Sequence, residues 1–364
     1  MPNGANSCSQ ARPCPPIPRL KLGEVKAALS QWVESGDSPA NRARRKAEAI
    51  RLAPALPAWW RAARDGQHYW TPPSPLTIPK EGGGEARLVA RCALPDRMLL
   101  GALANRMRGF PELPAKVPHG HAYIGGRGPR AAAIELVAQV KSAVAVFGIV
   151  TVVLFDLVRA FRSLSPFAAI ERAERWGMSR AILDALGSFY LLLLENPRLA
   201  GLQEGPPTSP VLAEIALTPL DEYLRARVLG VVRFSDNIAF IVPGTVGMEG
   251  AKGIVTTVVE EFRATEQVRL QTHDWRISVV TQAEGFQSPL AWLGYEWVGW
   301  TCRPSSKALQ RHERALGERV QAKGEAAALA SMDGILGYHT GVVSPPELVQ
   351  TALRLRRVIE THRP

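Results

Sequence analysis

Cysteine is scarce in this chain and shows no metal-binding spacing. The four cysteines, at positions 8, 14, 92 and 302, form no CxxC pair. Because structural zinc sites need closely spaced cysteine and histidine ligands, no zinc site is expected. The same scarcity favours reduced thiols and a cytoplasmic location over a disulfide framework.

Long hydrophobic runs are also missing. The longest candidate, residues 143–155, is shorter than the roughly 18 to 20 residues that a membrane-spanning helix needs. The N-terminus lacks a cationic segment followed by an apolar core, so no signal peptide is predicted. We therefore expect no membrane partner.

Acidic residues are outnumbered, since 33 Asp and Glu face 44 Lys and Arg for a formal net charge of +11. Such a balance favours a polyanionic partner, nucleic acid before an anionic membrane, although many basic proteins bind neither. A helix expected over residues 39–52 is rich in arginine. For that helix, a solvated face and phosphate contact are both open interpretations.

Two apolar runs flank a four-residue polar tip within residues 231–242. This pattern predicts a β-hairpin that carries Asp236 at its turn. Residues 149–156 form another apolar strand, which ends on Asp156. Because an unpaired buried carboxylate is costly, two such strand ends side by side predict a site for divalent cations. The chemistry indicated is two-metal nucleotidyl transfer to a 3′-hydroxyl.

Residues 72–97 read as a strand, a glycine turn and a second strand, with Lys80 and Arg87 on either side of the turn. Two cations placed in this way could hold a triphosphate, although surface charges are the alternative. The remaining pattern predicts helices at 22–33, 96–108, 129–142, 168–194, 211–227 and 249–264, strands at 276–281 and 291–297, and a helical segment at 303–364.

In this order the segments resemble the fingers and palm of bacterial reverse transcriptases, the group that includes group II intron, retron, diversity-generating and phage-defence enzymes. The matching motifs are the aspartate–aromatic motif at 155–161, the template-grip loop and helix at 201–221, the catalytic turn at 234–237, the primer-grip hairpin at 292–295 and a short thumb signature at 334–338. Together they span residues 72–340, and their common order is far more specific than any single motif.

The resemblance implies an α+β right-hand polymerase fold, with fingers, a palm built on an antiparallel sheet, and a short helical thumb. The corresponding division is a flexible tail at 1–20, an N-terminal helical extension at 21–71, fingers at 72–148, palm at 149–300 and thumb at 301–364.

The resemblance also implies site roles. Asp156 and Asp236 would coordinate two Mg²⁺ ions, or Mn²⁺, with the Leu157 carbonyl as an additional ligand. The catalytic set is Asp156, Asp236 and Asn237. The nucleotide-binding set is Lys80, Arg87, Phe161, Glu204, Gly205 and Arg276. Phe161 would act as a steric gate that favours dNTPs, with core packing as the alternative use of its ring.

Three positions depart from the family pattern. Asn237 replaces the second aspartate of the turn, which removes a negative charge near the cations. Glu204 stands where the family has glutamine, and Arg276 stands near the family's lysine, whose proton an arginine cannot easily supply. We hypothesise that the changes at 204 and 237 offset each other electrostatically.

The expected function is that of an RNA-directed DNA polymerase, with an RNA template, a nucleic-acid primer and dNTPs as partners. A stand-alone enzyme of the defence-associated or uncharacterised bacterial type fits best, and a diversity-generating enzyme is the nearest rival. A structured non-coding RNA or an accessory protein is a compatible partner. The alternative from another class is a catalytically silent scaffold that binds RNA, which Asn237 and Glu204 favour.

Overall fold

The computed structural model describes residues 11–36, 38–79 and 86–362, in which helices and strands are mixed. The helices are α1 (Leu22–Glu34), α2 (Pro39–Leu52), α3 (Leu56–Arg64), α4 (Leu94–Arg108), α5 (Leu113–Lys116), α6 (Pro129–Phe147), α7 (Ala160–Ser163), α8 (Pro166–Arg175), α9 (Arg180–Leu194), α10 (Ser209–Arg225), α11 (Met248–Glu266), α12 (Ser306–Lys323), α13 (Glu325–His339) and α14 (Pro345–Thr361). The strands are β1 (Arg12–Pro13), β2 (Tyr69–Trp70), β3 (Ser74–Ile78), β4 (Arg87–Arg91), β5 (Ile149–Leu157), β6 (Gly230–Phe234), β7 (Asn237–Pro243), β8 (Thr272–Thr281), β9 (Gly285–Trp292), β10 (Tyr295–Gly299) and β11 (Thr301–Pro304).

A seven-stranded antiparallel sheet forms the centre of the chain, in the order β11-β10-β9-β8-β5-β7-β6. Strand β5 lies between β8 and β7 in the interior of this sheet; it is apolar along nearly its whole length, and seven of its nine residues are buried. A strand of this kind is stable only where both faces of the sheet are covered. The sequence of β5 therefore favours an interior position in the sheet.

The two faces of β5 belong to different hydrophobic clusters. Val150, Val152 and Leu154 pack in the cluster that includes residues of α6. The alternate residues Val153, Phe155 and Leu157 belong to the larger cluster with α9, α10 and α11. Because side chains alternate along a strand, β5 packs against helices on both sides of the sheet. This packing fixes the position of the end of β5, which carries Asp156.

The predicted hairpin and strand are confirmed as β6, β7 and β5, but the hairpin tip is shorter than predicted. Phe234 pairs with Asn237, so the turn has two residues, Ser235 and Asp236. The single strand predicted at 291–297 was wrong, because β9 and β10 meet there as a hairpin. The resemblance to a primer-grip hairpin at 292–295 had indicated this hairpin. Its turn is Leu293-Gly294, with φ of 52° and 88°, and leucine rarely adopts such a conformation.

The expectation of a loose tail over residues 1–20 was wrong for the part that the structure describes, residues 11–20. Arg12 and Pro13 pair with Tyr69 and Trp70, and Cys14, Ile17 and Leu20 are buried. A proline-rich segment needs few internal hydrogen bonds, so it can line a hydrophobic surface in extended form. The amino-acid composition of the segment gave no indication of this packing.

The last part of the chain is helical, as predicted, but it begins with a strand. Thr301–Pro304 form β11 at the edge of the sheet, so the sheet continues beyond residue 300. Helices α12, α13 and α14 then pack around a separate cluster that contains Leu316, Val320 and Leu355. Among the described residues, no helix combines the length and the apolar character needed to cross a membrane.

Candidate active site

The turn between β6 and β7 brings Asp236 beside the end of β5. Ser235 takes a φ of 59°, a left-handed conformation that tight hairpin turns require. Asn237 is paired with Asp156 in the neighbouring strand, and the Leu157 N–H donates to the Asp236 carbonyl at 3.0 Å. The predicted meeting of the two strand ends is therefore present in the structure.

The Asp156 carboxyl group carries an electrostatic cost. Burial, followed by the negative charge of Asp236, raises the pKa of Asp156 to about 6. In the described part of the chain, neither carboxylate forms an ion pair with a lysine or arginine. Two neighbouring carboxylates without a cationic partner fit a divalent cation, since both offer the oxygen ligands that Mg²⁺ and Mn²⁺ accept.

Asn237 contacts the carboxylate of Asp236. Its side-chain Nδ2 donates to Asp236 Oδ1 at 3.1 Å. The amide can therefore orient Asp236, while it lacks the charge that an aspartate would add. Participation of Asn237 in catalysis stays a prediction.

A cleft of about 430 Å³ opens next to Asp236, whereas Asp156 and Asn237 are not among the residues that line it. Its lining includes Arg87, Leu157, Phe161, Glu204, Gly205 and Asp236, which the sequence had grouped as site residues. Lys80 lies outside the described residues.

Arg87 and Glu204 meet within the cleft. One guanidinium nitrogen of Arg87 lies 3.7 Å from Glu204 Oε2, and the side chains are 57% and 43% exposed. The predicted triphosphate-binding cation is therefore paired with the carboxylate that departs from the family pattern. A triphosphate entering the cleft would compete with Glu204 for Arg87.

The loop of residues 201–208 forms one wall of the cleft through close backbone contacts. The Ala90 N–H donates to the Glu204 carbonyl at 2.8 Å. A side chain at Gly205 would place Cβ 2.1 Å from the Ala90 carbonyl oxygen, and Gly205 has a φ of 122°. Only glycine fits this approach, which explains its place in the loop.

Phe161 both lines the cleft and packs against the core. It lies on α7, lines the cleft and also packs against the larger hydrophobic cluster. Its carbonyl accepts from the Leu202 N–H at 2.8 Å, which ties α7 to the same loop. The position is compatible with a steric gate, and that role stays a prediction.

Arg276 is placed differently from its predicted role. It pairs with Leu154 in the sheet, and its Nη1 donates to the Ala291 carbonyl of β9. It is absent from the residues that line the cleft. Its charge nevertheless lowers the pKa of Asp156, so it acts on the site through space.

Three residues of the site were missed by sequence reasoning. Tyr123 lines the cleft and hydrogen-bonds to Ser235, while His273 lines the cleft beside Asp274. The signal for His273 and Asp274 was their position a few residues before Arg276. Tyr123 has a φ of 58°, and nothing in its sequence neighbourhood indicates that it faces the cleft.

A buried ionic group lies behind the turn. The fully buried Arg233 forms ion pairs with Asp221 at 2.8 Å and Glu214 at 3.0 Å. Its Nη1 also donates to the Ser235 carbonyl at 3.3 Å. Arg233 thus joins α10 to the turn that carries Asp236.

No protein-family model and no curated protein matches the sequence. Among solved structures, the chain is similar to telomerase from Candida albicans in complex with a TWJ fragment of telomeric RNA, at 11% identity and a TM-score of 0.42, over 79% of this chain and 61% of that one. It is also similar to apo telomerase from Candida tropicalis, at 12% identity and a TM-score of 0.48, over 80% and 57%.

The chain spans about three-fifths of the length of these telomerase chains. Likenesses this distant carry no functional conclusion. The residues of the site carry the functional interpretation instead.

Proposed function

We propose that this protein is an RNA-directed DNA polymerase that adds dNTPs to the 3′ end of a primer. One observation carries the proposal: the neighbouring carboxylates of Asp156 and Asp236, without a described cationic partner, lie beside a cleft that also contains Arg87. Nucleotidyl transfer needs this combination of a cation site and a positive group for the triphosphate.

Each residue has a separate task in this mechanism. Bound Mg²⁺ or Mn²⁺ would supply Lewis acidity for the attacking 3′-hydroxyl and the leaving pyrophosphate. Asp156 and Asp236 would hold the ions, with the Leu157 carbonyl as a further oxygen ligand, and Asn237 would orient Asp236. Arg87 would bind the triphosphate, with Lys80 as its expected companion.

The walls of the cleft would select the substrate. Phe161 would lie beneath the sugar, where its ring leaves no room for a 2′-hydroxyl and so favours dNTPs over rNTPs. The backbone of Gly205 would shape the opposite wall. Arg276, which bonds to β9, would contribute only through its charge.

The proposal includes a right-hand arrangement. β3 and β4 would belong to the fingers, the seven-stranded sheet to the palm, and α12 to α14 to the thumb. The formal charge of +11 supports an RNA template and a nucleic-acid primer. A bacterial enzyme of the defence-associated type is the role that the altered motifs favour, and a diversity-generating enzyme is the rival.

The second candidate is a catalytically silent RNA-binding scaffold. It is favoured by the Arg87–Glu204 ion pair, which occupies the predicted triphosphate ligand, and by the missing charge at Asn237. This scaffold would bind RNA and leave dNTPs unincorporated.

Primer extension by the purified full chain separates the two candidates. We expect labelled product on an RNA template with dNTPs and Mg²⁺ or Mn²⁺, and no product from Asp156→Ala. Asp333→Ala, an exposed residue of α13, is the matched control and should retain extension. RNA binding without product, across DNA and RNA primers and both ions, would instead establish the scaffold.

A further inference from the structure

The contact between β5 and β8 contains a bulge directly beside Asp156. Leu157 pairs with Thr272 and Asp156 with His273, but Leu154 then pairs with Arg276. Two residues of β8, Asp274 and Trp275, therefore stand opposite Phe155 alone. Asp274 takes a φ of 53°, and one extra residue of this kind is the mark of a β-bulge.

The bulge changes which side chains share a face of the sheet. In a regular strand, His273 and Trp275 would point the same way, and Asp274 the other way. Here Trp275 stacks on Phe155 with ring centroids 5.0 Å apart, whereas His273 is paired with Asp156 on the opposite face. The bulge therefore lets both His273 and Asp274 approach the Asp156 carboxylate.

The ligand atoms of these three residues converge. One carboxylate oxygen each from Asp156 and Asp274 and a ring nitrogen of His273 all lie within 4.8 Å of one another. His273 and Asp274 are exposed, and His273 lines the cleft. No ion pair to a lysine or arginine compensates Asp274 in the described parts of the chain.

We propose that Asp156, His273 and Asp274 form a second cation position, on the β8 side of Asp156, which binds transition-series divalent cations in preference to Mg²⁺. This position is distinct from the one between Asp156 and Asp236, although both use Asp156. It deepens the proposed function, because it would supply the second ion in a site where Asn237 provides no carboxylate.

The preference follows from the nitrogen ligand. Mg²⁺ takes oxygen ligands in near-ideal octahedral geometry. An imidazole suits later divalent ions better, and affinity for a mixed nitrogen and oxygen site rises from Mn²⁺ along the first transition series. Replacement of an aspartate in the turn by a histidine from the neighbouring strand would therefore shift ion preference away from Mg²⁺.

Direct titration of the full chain with Mn²⁺, followed by electron paramagnetic resonance without nucleotide or RNA, tests the proposal. We expect His273→Gln and Asp274→Asn each to weaken Mn²⁺ binding about tenfold or more, the cost of losing one ligand contact. Mg²⁺ affinity, measured by competition, should change much less in His273→Gln. His362→Gln, an exposed histidine at the end of α14, is the control and should bind as the native chain does.

A third variant separates the two positions. Asp236→Asn should remove the position beside the turn and retain the Mn²⁺ site that depends on His273. Equal Mn²⁺ affinity in the native chain, His273→Gln and Asp274→Asn would overturn the inference, whatever the result of primer extension. Absence of primer extension together with His273-dependent Mn²⁺ binding would overturn the polymerase and leave the cation site standing.

Discussion

Asp156 is held in a position that costs the folded protein free energy. Its carboxylate is partly buried and faces Asp236, and these two causes raise its pKa to about 6. Structural carboxylates are usually paired with a cation or hydrogen-bonded. A partly buried carboxylate that has no ion-pair partner among the described residues is a candidate for a charge with a use beyond folding.

We expect Asp156→Asn to stabilise the metal-free protein. In the unfolded chain an aspartate titrates near pH ~3.9, and its folded pKa is higher. Ionisation of Asp156 therefore costs nothing below about pH 4, an increasing amount up to about pH 6 and the full amount above it. After allowance for solvent screening, the gain from asparagine should be about 1 kcal/mol above pH 6.

Urea unfolding in a chelating buffer, at about pH 8 and about pH 5, measures this gain. It should be larger at the higher pH. Asp333→Asn removes an exposed carboxylate from α13 and should change stability little at either pH. A native chain more stable than Asp156→Asn at the higher pH would contradict the argument.

Glu204 should weaken nucleotide binding by competing for Arg87. The two side chains lie 3.7 Å apart and are largely solvated, so the pair is worth at most about 1 kcal/mol. Glu204→Gln should therefore tighten dNTP binding by a factor of about two to five, as measured by isothermal calorimetry with Mg²⁺.

A double-mutant cycle isolates this effect. In an Arg87→Gln background the gain in dNTP affinity from Glu204→Gln should disappear, because Glu204 and the triphosphate no longer compete for a guanidinium group. An equal gain in both backgrounds would mean that Glu204 repels the triphosphate directly. Glu204 contacts Arg87, whereas Asn237 contacts Asp236. The hypothesis that the charge changes at Glu204 and Asn237 offset each other stays a prediction.

At the scale of elements, the hairpin that carries Asp236 depends on the buried Arg233. Replacement of Arg233 by methionine would leave Asp221 and Glu214 without their cation in the protein interior. We expect a loss of roughly 3–5 kcal/mol in the free energy of unfolding. Arg303→Met, which breaks the exposed pair with Glu296, should cost less than about 1 kcal/mol.

Urea unfolding of the two variants provides the comparison. If Arg233→Met does not fold, Arg233→Lys keeps the charge but loses the planar fork that binds Asp221 at two nitrogens, and an intermediate loss is expected. Equal stability of Arg233→Lys and the native chain would show that the turn does not need this geometry.

The elements that the sequence predicted well are strands whose apolar pattern also shows where the predicted catalytic aspartates lie. β5 and β7 are almost entirely apolar, and Val231 and Val232 give β6 the same character, although Arg233 interrupts it. Asp156 lies next to the last residue of β5, and Asp236 lies in the turn between β6 and β7. Their meeting follows from the antiparallel pairing of β5 with β7. For these elements, local pattern is sufficient to place two carboxylates at one site.

The parts that sequence could not predict depend on register and on long-range pairing. A one-residue bulge at Asp274 decides which face His273 and Trp275 occupy, and no periodicity encodes it. The local pattern does not show the Leu293-Gly294 turn, because a leucine there takes a left-handed conformation; only the resemblance to a primer-grip hairpin indicated it. The ion pair of Arg87 with Glu204 joins segments more than a hundred positions apart in the chain.

At the scale of the whole molecule, the surplus of positive charge is not all available to a ligand. The helix α2 was predicted to be rich in arginine, with phosphate contact and a solvated face as the two open interpretations. Arg42 donates to the Gly36 carbonyl at 2.7 Å, and Arg45 donates to the Trp32 carbonyl at 2.8 Å. These two arginines bond to the end of α1, which is favourable for a cation at a helix C-terminus.

Arg44, Lys46 and Arg51 are the exposed cations of α2 that remain, and Arg44 donates to the Asn41 side chain at 2.8 Å. Lys46 and Arg51 are then the candidates for phosphate contact. Each phosphate that they neutralise should add about 0.7 to 0.9 to the slope of log affinity against log salt. We expect Lys46→Gln/Arg51→Gln to weaken binding of an RNA–DNA hybrid and to lower that slope by about 1.5, as measured by fluorescence anisotropy over a KCl series. Lys252→Gln/Arg263→Gln, which removes the same charge from α11, is the control. An equal loss of slope in both would mean that net charge alone binds nucleic acid, whereas a loss confined to α2 would place the duplex against this helix.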